Sequence, residues 1–230
     1  MRKPLAIAAA FLLTAVSLVA SGQTQTDPTR IFRSAEVVTA SGVPIPFNSV
    51  ANGIVELHLS ISATGNVDEV VVARPLASVT EQAVSAVKAW TFAPATMRGK
   101  PIASRLTVAV AFCPAYGYGL GDIPLPPVSP ESAKDAGASS LIPTSPEIIA
   151  AKYPLDRAVQ LMGGTVVIRV LIGVDGQPGL VRVIRGKAPL VDDARLAVKD
   201  WTFSPARLNG KEVISGIVVA LRFRTPVSTP

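Results

Sequence analysis

The sequence predicts an α+β fold of two tandem β-β-α-β modules, each a three-stranded antiparallel sheet in order 2-1-3 with one helix packed on it. Three observations carry this. The first is a repeat: Ala86-Val87-Lys88-Ala89-Trp90-Thr91-Phe92-Ala93-Pro94-Ala95 returns as Ala197-Val198-Lys199-Asp200-Trp201-Thr202-Phe203-Ser204-Pro205-Ala206. The offset, 201 − 90 = 111, holds without a gap from Ser34/Ser145 to Phe112/Phe223, which marks a duplicated module. The second is a period-two apolar alternation ahead of each tryptophan, the pattern of a half-buried strand. The third is an apolar stripe at helical spacing leading into each tryptophan. The expected units are a leader at 1–22, a first repeat at 34–113, a Gly/Pro-rich linker at 114–144 and a second repeat at 145–224.

The chain opens with basic Met1-Arg2-Lys3, an apolar run from Leu5 to Ala20, and small residues Ala20, Ser21 and Gly22. This is the shape of a secretory signal peptide. The run has about 16 residues, short of the ~20 that span a bilayer; an uncleaved membrane anchor is the alternative, and only then would the chain sit on a membrane.

In the first repeat, Ser34 to Gly53 carries Pro44, Pro46 and Asn48 and reads as mostly irregular. Val55, Leu57, Leu59 and Ile61 alternate with Glu56, His58, Ser60 and Ser62, giving strand one and pointing His58 to solvent. Thr64-Gly65-Asn66 supplies a hairpin turn. Val67 to Ala73 returns as strand two, ended by Pro75. Val79, Ala83, Ala86, Val87 and Trp90 form one helical stripe. Pro94 stops the helix, and Ile102 to Phe112 is strand three. Trp90 and Phe92, with Trp201 and Phe203 in the second copy, are the expected structural core.

Residues 114–144 read as a flexible linker with a polyproline-type segment at Pro124-Leu125-Pro126-Pro127. In the second repeat, Asp156 to Met162 suggests a short helix. Val166, Ile168, Val170 and Ile172 form the inward face of strand one, and Thr165, Val167, Arg169 and Leu171 the other. Asp175-Gly176 is a hairpin signal. Leu180 to Arg185 is strand two, Leu190, Ala194, Ala197, Val198 and Trp201 repeat the stripe, and Val213 to Phe223 is strand three. Val167 and Leu171 make the outer face less polar than in the first copy; they are either singly exposed or covered by the other repeat or the linker.

A helix ending in V-K-x-W-x-F-x-P-A, then x-x-G-K, then a β-branched strand ending in Phe, resembles the C-terminal domain of the TonB energy-transducer family. Gly164 to Gly176, with its G-x-V-x-x-x-V-x-I-x-x-D-G pattern, and Tyr153-Pro154 upstream fit the same family. The resemblance covers both copies. It implies a binding module whose last strand is an edge that takes up a short segment of an outer-membrane receptor. On that resemblance the partner-binding residues are Ile217, Val218, Val219, Ala220, Leu221, Arg222, Phe223 and Arg224, with Tyr153 and Pro154 nearby. The first copy has Gly42-Val43 where the second has Tyr153-Pro154. The implied partner is an envelope or outer-membrane protein, such as a TonB-dependent receptor, met in the periplasm or from an inner-membrane anchor. Two alternatives stand beside peptide binding. The chain is an energy transducer, although its apolar run has no histidine and only about 12 residues separate Gly22 from Ser34. Or it is a structural envelope protein whose two copies pair their last strands, giving one six-stranded sheet with no free edge there, or a dimer.

Composition and motifs narrow the function further. The net charge of +6 comes from scattered residues without a basic run, which argues against nucleic acid. Cys113 is the one cysteine and His58 the one histidine. No G-x-S-x-G elbow, H-E-x-x-H, C-x-x-C or Walker loop occurs, so no catalytic residue, metal or cofactor is expected. Gly117, Gly119 and Gly121 lack the strand, helix and Lys-Ser/Thr of a phosphate loop. Asp192-Asp193 and Lys199 complement a helix dipole. Cys113, at a strand end, is expected to be a partly buried structural thiol.

Overall fold

The structure, a computed structural model, describes residues 32–46, 49–113, 121–135, 142–154 and 163–224. The expected leader and the helix expected at 156–162 lie outside these residues. Each repeat opens with a long antiparallel hairpin: β3 (Gly53–Ile61) with β4 (Val67–Arg74), and β10 (Gly164–Ile172) with β11 (Pro178–Arg185). The turn glycines are required by space as well as by φ. Gly176 has φ +76°, and a Cβ there would lie 2.1 Å from the Phe203 carbonyl oxygen. Gly65, with φ +88°, stands in the same relation to the Phe92 carbonyl oxygen at 2.5 Å.

Helices α1 (Thr80–Lys88) and α3 (Leu190–Lys199) follow the hairpins. Their sheet-facing positions include Ala83 and Ala86, and Ala194 and Ala197, all buried. These small side chains let short helices sit close to the sheet. Acidic first turns and basic last turns suit the helix dipole. Each tryptophan follows its helix and closes a core. Trp90 Nε1 donates to Ser41 Oγ at 3.2 Å, and Trp201 Nε1 donates to the Lys152 carbonyl at 2.9 Å. Burying an indole requires such a partner for its N–H, and the two partners are themselves one repeat offset apart, 152 − 41 = 111.

After each helix the chain forms three-residue strands that the periodicity did not anticipate. They are β5 (Thr91–Ala93), β6 (Ala95–Met97) and β7 (Lys100–Ile102) in the first repeat, and β12 (Thr202–Ser204), β13 (Ala206–Leu208) and β14 (Lys211–Val213) in the second. β5 pairs with β2 (Glu36–Thr39), β12 with β9 (Glu147–Ala150), and β6 with β1 (Phe32–Arg33). The stretch before Gly53, expected to be irregular, is thus partly a strand. The third long strands begin beyond these pieces, as β8 (Ser104–Cys113) and β15 (Ser215–Phe223).

Each repeat has its sheet in order 2-1-3, as β4-β3-β8 and β11-β10-β15. The two halves join into one six-stranded sheet, β11-β10-β15-β8-β3-β4. The joining pair, β15 and β8, is parallel, with Val218 opposite Val108. That separation is 218 − 108 = 110, one residue less than the repeat offset. A one-residue slip exchanges the faces of a strand. The inward face of one copy is therefore continuous with the outward face of the other, and α1 and α3 lie on opposite sides of the sheet. Val167, Val218 and Ala220, outward in their own repeat, are fully buried in the α1 core, while Ile54, Ala109 and Ala111 are fully buried in the α3 core. This cover explains Val167 on the apolar outer face of the second copy; Leu171 stays half-buried.

The described part of the stretch between the repeats is tied down by hydrogen bonds, in contrast to the flexible linker expected: Ile123 donates to the Ala151 carbonyl, and the segment around Ser129 is bonded to β4. Ser129 donates through its amide to the Ala73 carbonyl and through Oγ to the Val72 carbonyl, each at 2.7 Å. Arg74 donates to the Pro126 carbonyl and pairs through Nε with buried Glu56 at 2.7 Å. α2 (Pro130–Asp135) packs against β4. Ser132 Oγ lies 3.1 Å from His58 Nδ1, so His58 is covered by this segment and does not face open solvent.

Candidate partner-binding site

Of the residues assigned to partner binding, Val218 to Phe223 are paired on both sides. β15 lies between β10 and β8: Val218 faces Arg169 on one side and Val108 on the other, and Ala220 faces Val167 and Val110. Ile217, Val218, Val219, Ala220 and Leu221 are fully buried, and Phe223 nearly so. Arg222 is half-buried and donates to the Gly164 and Phe223 carbonyls. Burial lowers its pKa from the usual value, with Arg224 adding to the effect. The expected free edge is therefore corrected: its main-chain groups are used by the first repeat. The physical reason is the usual one for soluble sheets, that an uncovered edge is an unmet set of donors and acceptors.

Tyr153 is also a core residue. It is 4% exposed and packs in the α3 core beside Trp201 and Cys113. Burial raises the pKa of its phenol, with Cys113 contributing. Its amide donates to the Gly121 carbonyl at 3.1 Å. Pro154, partly buried, follows at the end of that described stretch. Trp90, Phe92, Trp201 and Phe203 are buried, and the Trp201 and Phe203 rings are 6.2 Å apart.

The two ends of the sheet are β4 and β11. β4 is overlaid near its end by Ser129 and α2. Among the described residues, no strand pairs with the outer side of β11. Beside it is a charged cluster that the sequence reading did not single out. Arg182, on β11, and Arg169, on β10, both reach Glu36 of β2, at 2.9 and 3.3 Å. Arg182 is exposed, whereas Arg169 is almost buried. Its one visible signal in the sequence is a charged residue in an otherwise apolar strand, Thr165 to Ile172. Glu36 and Arg169 are 133 residues apart (169 − 36), so nothing local connects them.

Among the described residues, no group of three or more His, Cys, Asp or Glu could hold a metal ion, and no helix is long and apolar enough to cross a membrane. The family model of the Gram-negative bacterial TonB protein C-terminal domain matches residues 50–114 and 150–225, more than half of the chain. No curated protein and no solved structure matches.

Proposed function

We propose, from the premise that this chain belongs to the Gram-negative bacterial TonB protein C-terminal family, that it is an exported, non-enzymatic protein of the cell envelope. It binds an extended segment of an envelope or outer-membrane protein, and the segment adds as a strand to the outer side of β11. The observation that carries this is the sheet order. β15 is enclosed and β4 is overlaid by Ser129, whereas β11 ends the sheet with no described strand beyond it. Main-chain hydrogen bonds would supply most of the affinity, with modest side-chain selectivity.

The test is amide exchange on the full chain with synthetic peptides tiled from the periplasm-facing segment of a TonB-dependent outer-membrane receptor. Exchange of outward amides in β11 should slow on peptide addition. Protection confined to β4, or no protection on any strand at saturating peptide, overturns the reading. The pairing of β8 with β15 supports a second reading, a structural envelope protein that uses its repeats on each other. That reading expects no strand to gain protection.

A further inference from the structure

We infer that the junction between the start of the first repeat and the second repeat carries a pocket for a side-chain carboxylate of a protein partner, an Asp or Glu flanked by apolar residues, held by Arg169 and Arg33. The inference rests on the reading of the chain as a protein-binding module, but not on strand addition.

The pocket lies on the face of β10 turned away from α3. Its floor is the Arg169 side chain, laid flat on Gly216. A Cβ at Gly216 would lie 2.9 Å from Arg169 Nε and 3.0 Å from Nη2, so any larger residue there would push the guanidinium aside. Nη2 donates to Ser34 Oγ at 3.0 Å and pairs with Glu36 Oε1 at 3.3 Å. Nε is buried with no hydrogen-bond partner. A buried donor left unpaired is costly, more so on a charged group. Burial lowers the pKa of Arg169, Glu36 opposes this, and Arg182 and Arg33 add to it. Arg169 and Arg182 both pair with Glu36, and Arg33 lines the same cavity, so three guanidinium groups stand with one carboxylate, a net of 3 − 1 = +2.

Above this floor is a cavity of about 300 Å³, at the small end of the range for ligand pockets, roughly 300–1,000 Å³. Its apolar wall is Phe32, Leu171 and Ile214. Ile214 is 39% exposed. A positive floor below an apolar rim is complementary to a carboxylate with apolar neighbours. The planar guanidinium suits carboxylate recognition.

The first repeat supplies an internal comparison. Position 169 − 111 = 58 is His58, and position 216 − 111 = 105 is Arg105. The corresponding cavity is only about 40 Å³. There, Ser145, the equivalent of Ser34, accepts from the Thr107 amide, and Ser132 meets His58. The same frame is filled in one copy and, in the other, opens onto the Arg169 side chain.

The experiment is an NMR titration of the full chain, observing arginine Nε–H signals, with the peptides acetyl-Leu-Glu-Leu-amide and acetyl-Leu-Gln-Leu-amide. The Arg169 Nε–H signal should shift with the Glu peptide and stay in place with the Gln peptide. Arg169→Gln should weaken Glu-peptide binding by at least about tenfold, the scale of a lost charged hydrogen bond. Arg33→Gln and Ile214→Asp alter exposed positions and should weaken it several-fold without unfolding the chain. Equal shifts with both peptides overturn the inference. So does an equal response to inorganic phosphate, or unchanged binding in Arg33→Gln and Ile214→Asp. Amide exchange of β11 read on the same samples separates the two readings. A shift at Arg169 without β11 protection refutes strand addition and keeps the pocket, and β11 protection without the shift does the reverse.

Discussion

Val218→Ala tests whether the two repeats are one folding unit. Val218 is fully buried in the α1 core although its repeat carries α3 on the other face. Removing two methyl groups loses about 1.6 kcal/mol of transfer free energy at ~0.8 kcal/mol per group. Its neighbours belong to two paired strands and cannot close fully around the gap, which raises the expected cost to about 2–3 kcal/mol. If the repeats folded separately, Val218 would sit on an outer face and the change would cost about 0.5 kcal/mol or less. Urea unfolding followed by tryptophan fluorescence distinguishes these outcomes. In Trp90→Phe and Trp201→Phe backgrounds, each probe reports one repeat. Both should show one common transition, with Val218→Ala lowering the midpoint by about 1 M. A loss below about 0.5 kcal/mol, or a shift seen only by Trp201, would refute the single-core reasoning.

Trp201→Ala should cost about 3–5 kcal/mol in the same titration, since a fully buried indole and its bond to the Lys152 carbonyl are lost. Gly176→Ala should cost at least about 3 kcal/mol, because its Cβ would meet the Phe203 carbonyl. Gly210→Ala, at a similar φ of +75° with nothing within 4 Å of its Cβ, should cost only about 1 kcal/mol; equal costs would remove the steric argument. The Cys113 thiol is pushed up to about 12 by burial, so at pH 8 a disulfide reagent should modify it only as urea unfolds the chain. The sign follows: the folded state keeps the proton, so this contribution is complete below the ordinary thiol pKa of about 8.5 and is lost as pH rises toward 12. Rapid modification of the native protein would show the thiol to be accessible.

The sequence by itself determined the local elements of each repeat. Alternation at Val55–Ile61 and Val166–Ile172 placed the hairpins, Gly65 and Gly176 placed their turns, and the stripes ending at Trp90 and Trp201 placed the helices. These signals come from contacts near in sequence, where spacing encodes which face is buried. The three-residue strands after each tryptophan were too short to show a period, and β5, β6 and β12 pair with residues 32–39 and 147–150 far upstream. Only the tertiary structure decided the fate of Ile217–Phe223. A strand's main-chain donors and acceptors are the same whatever its side chains, so no residue type distinguishes an open edge from a paired one. The apolar Val167, Val218 and Ala220 showed that the outer face needed cover, but not which element supplies it. The candidate pocket was still less legible. Arg169, Glu36 and Gly216 come from distant segments, and they meet because a one-residue slip between β8 and β15 turns the second repeat over and lays that face against the first.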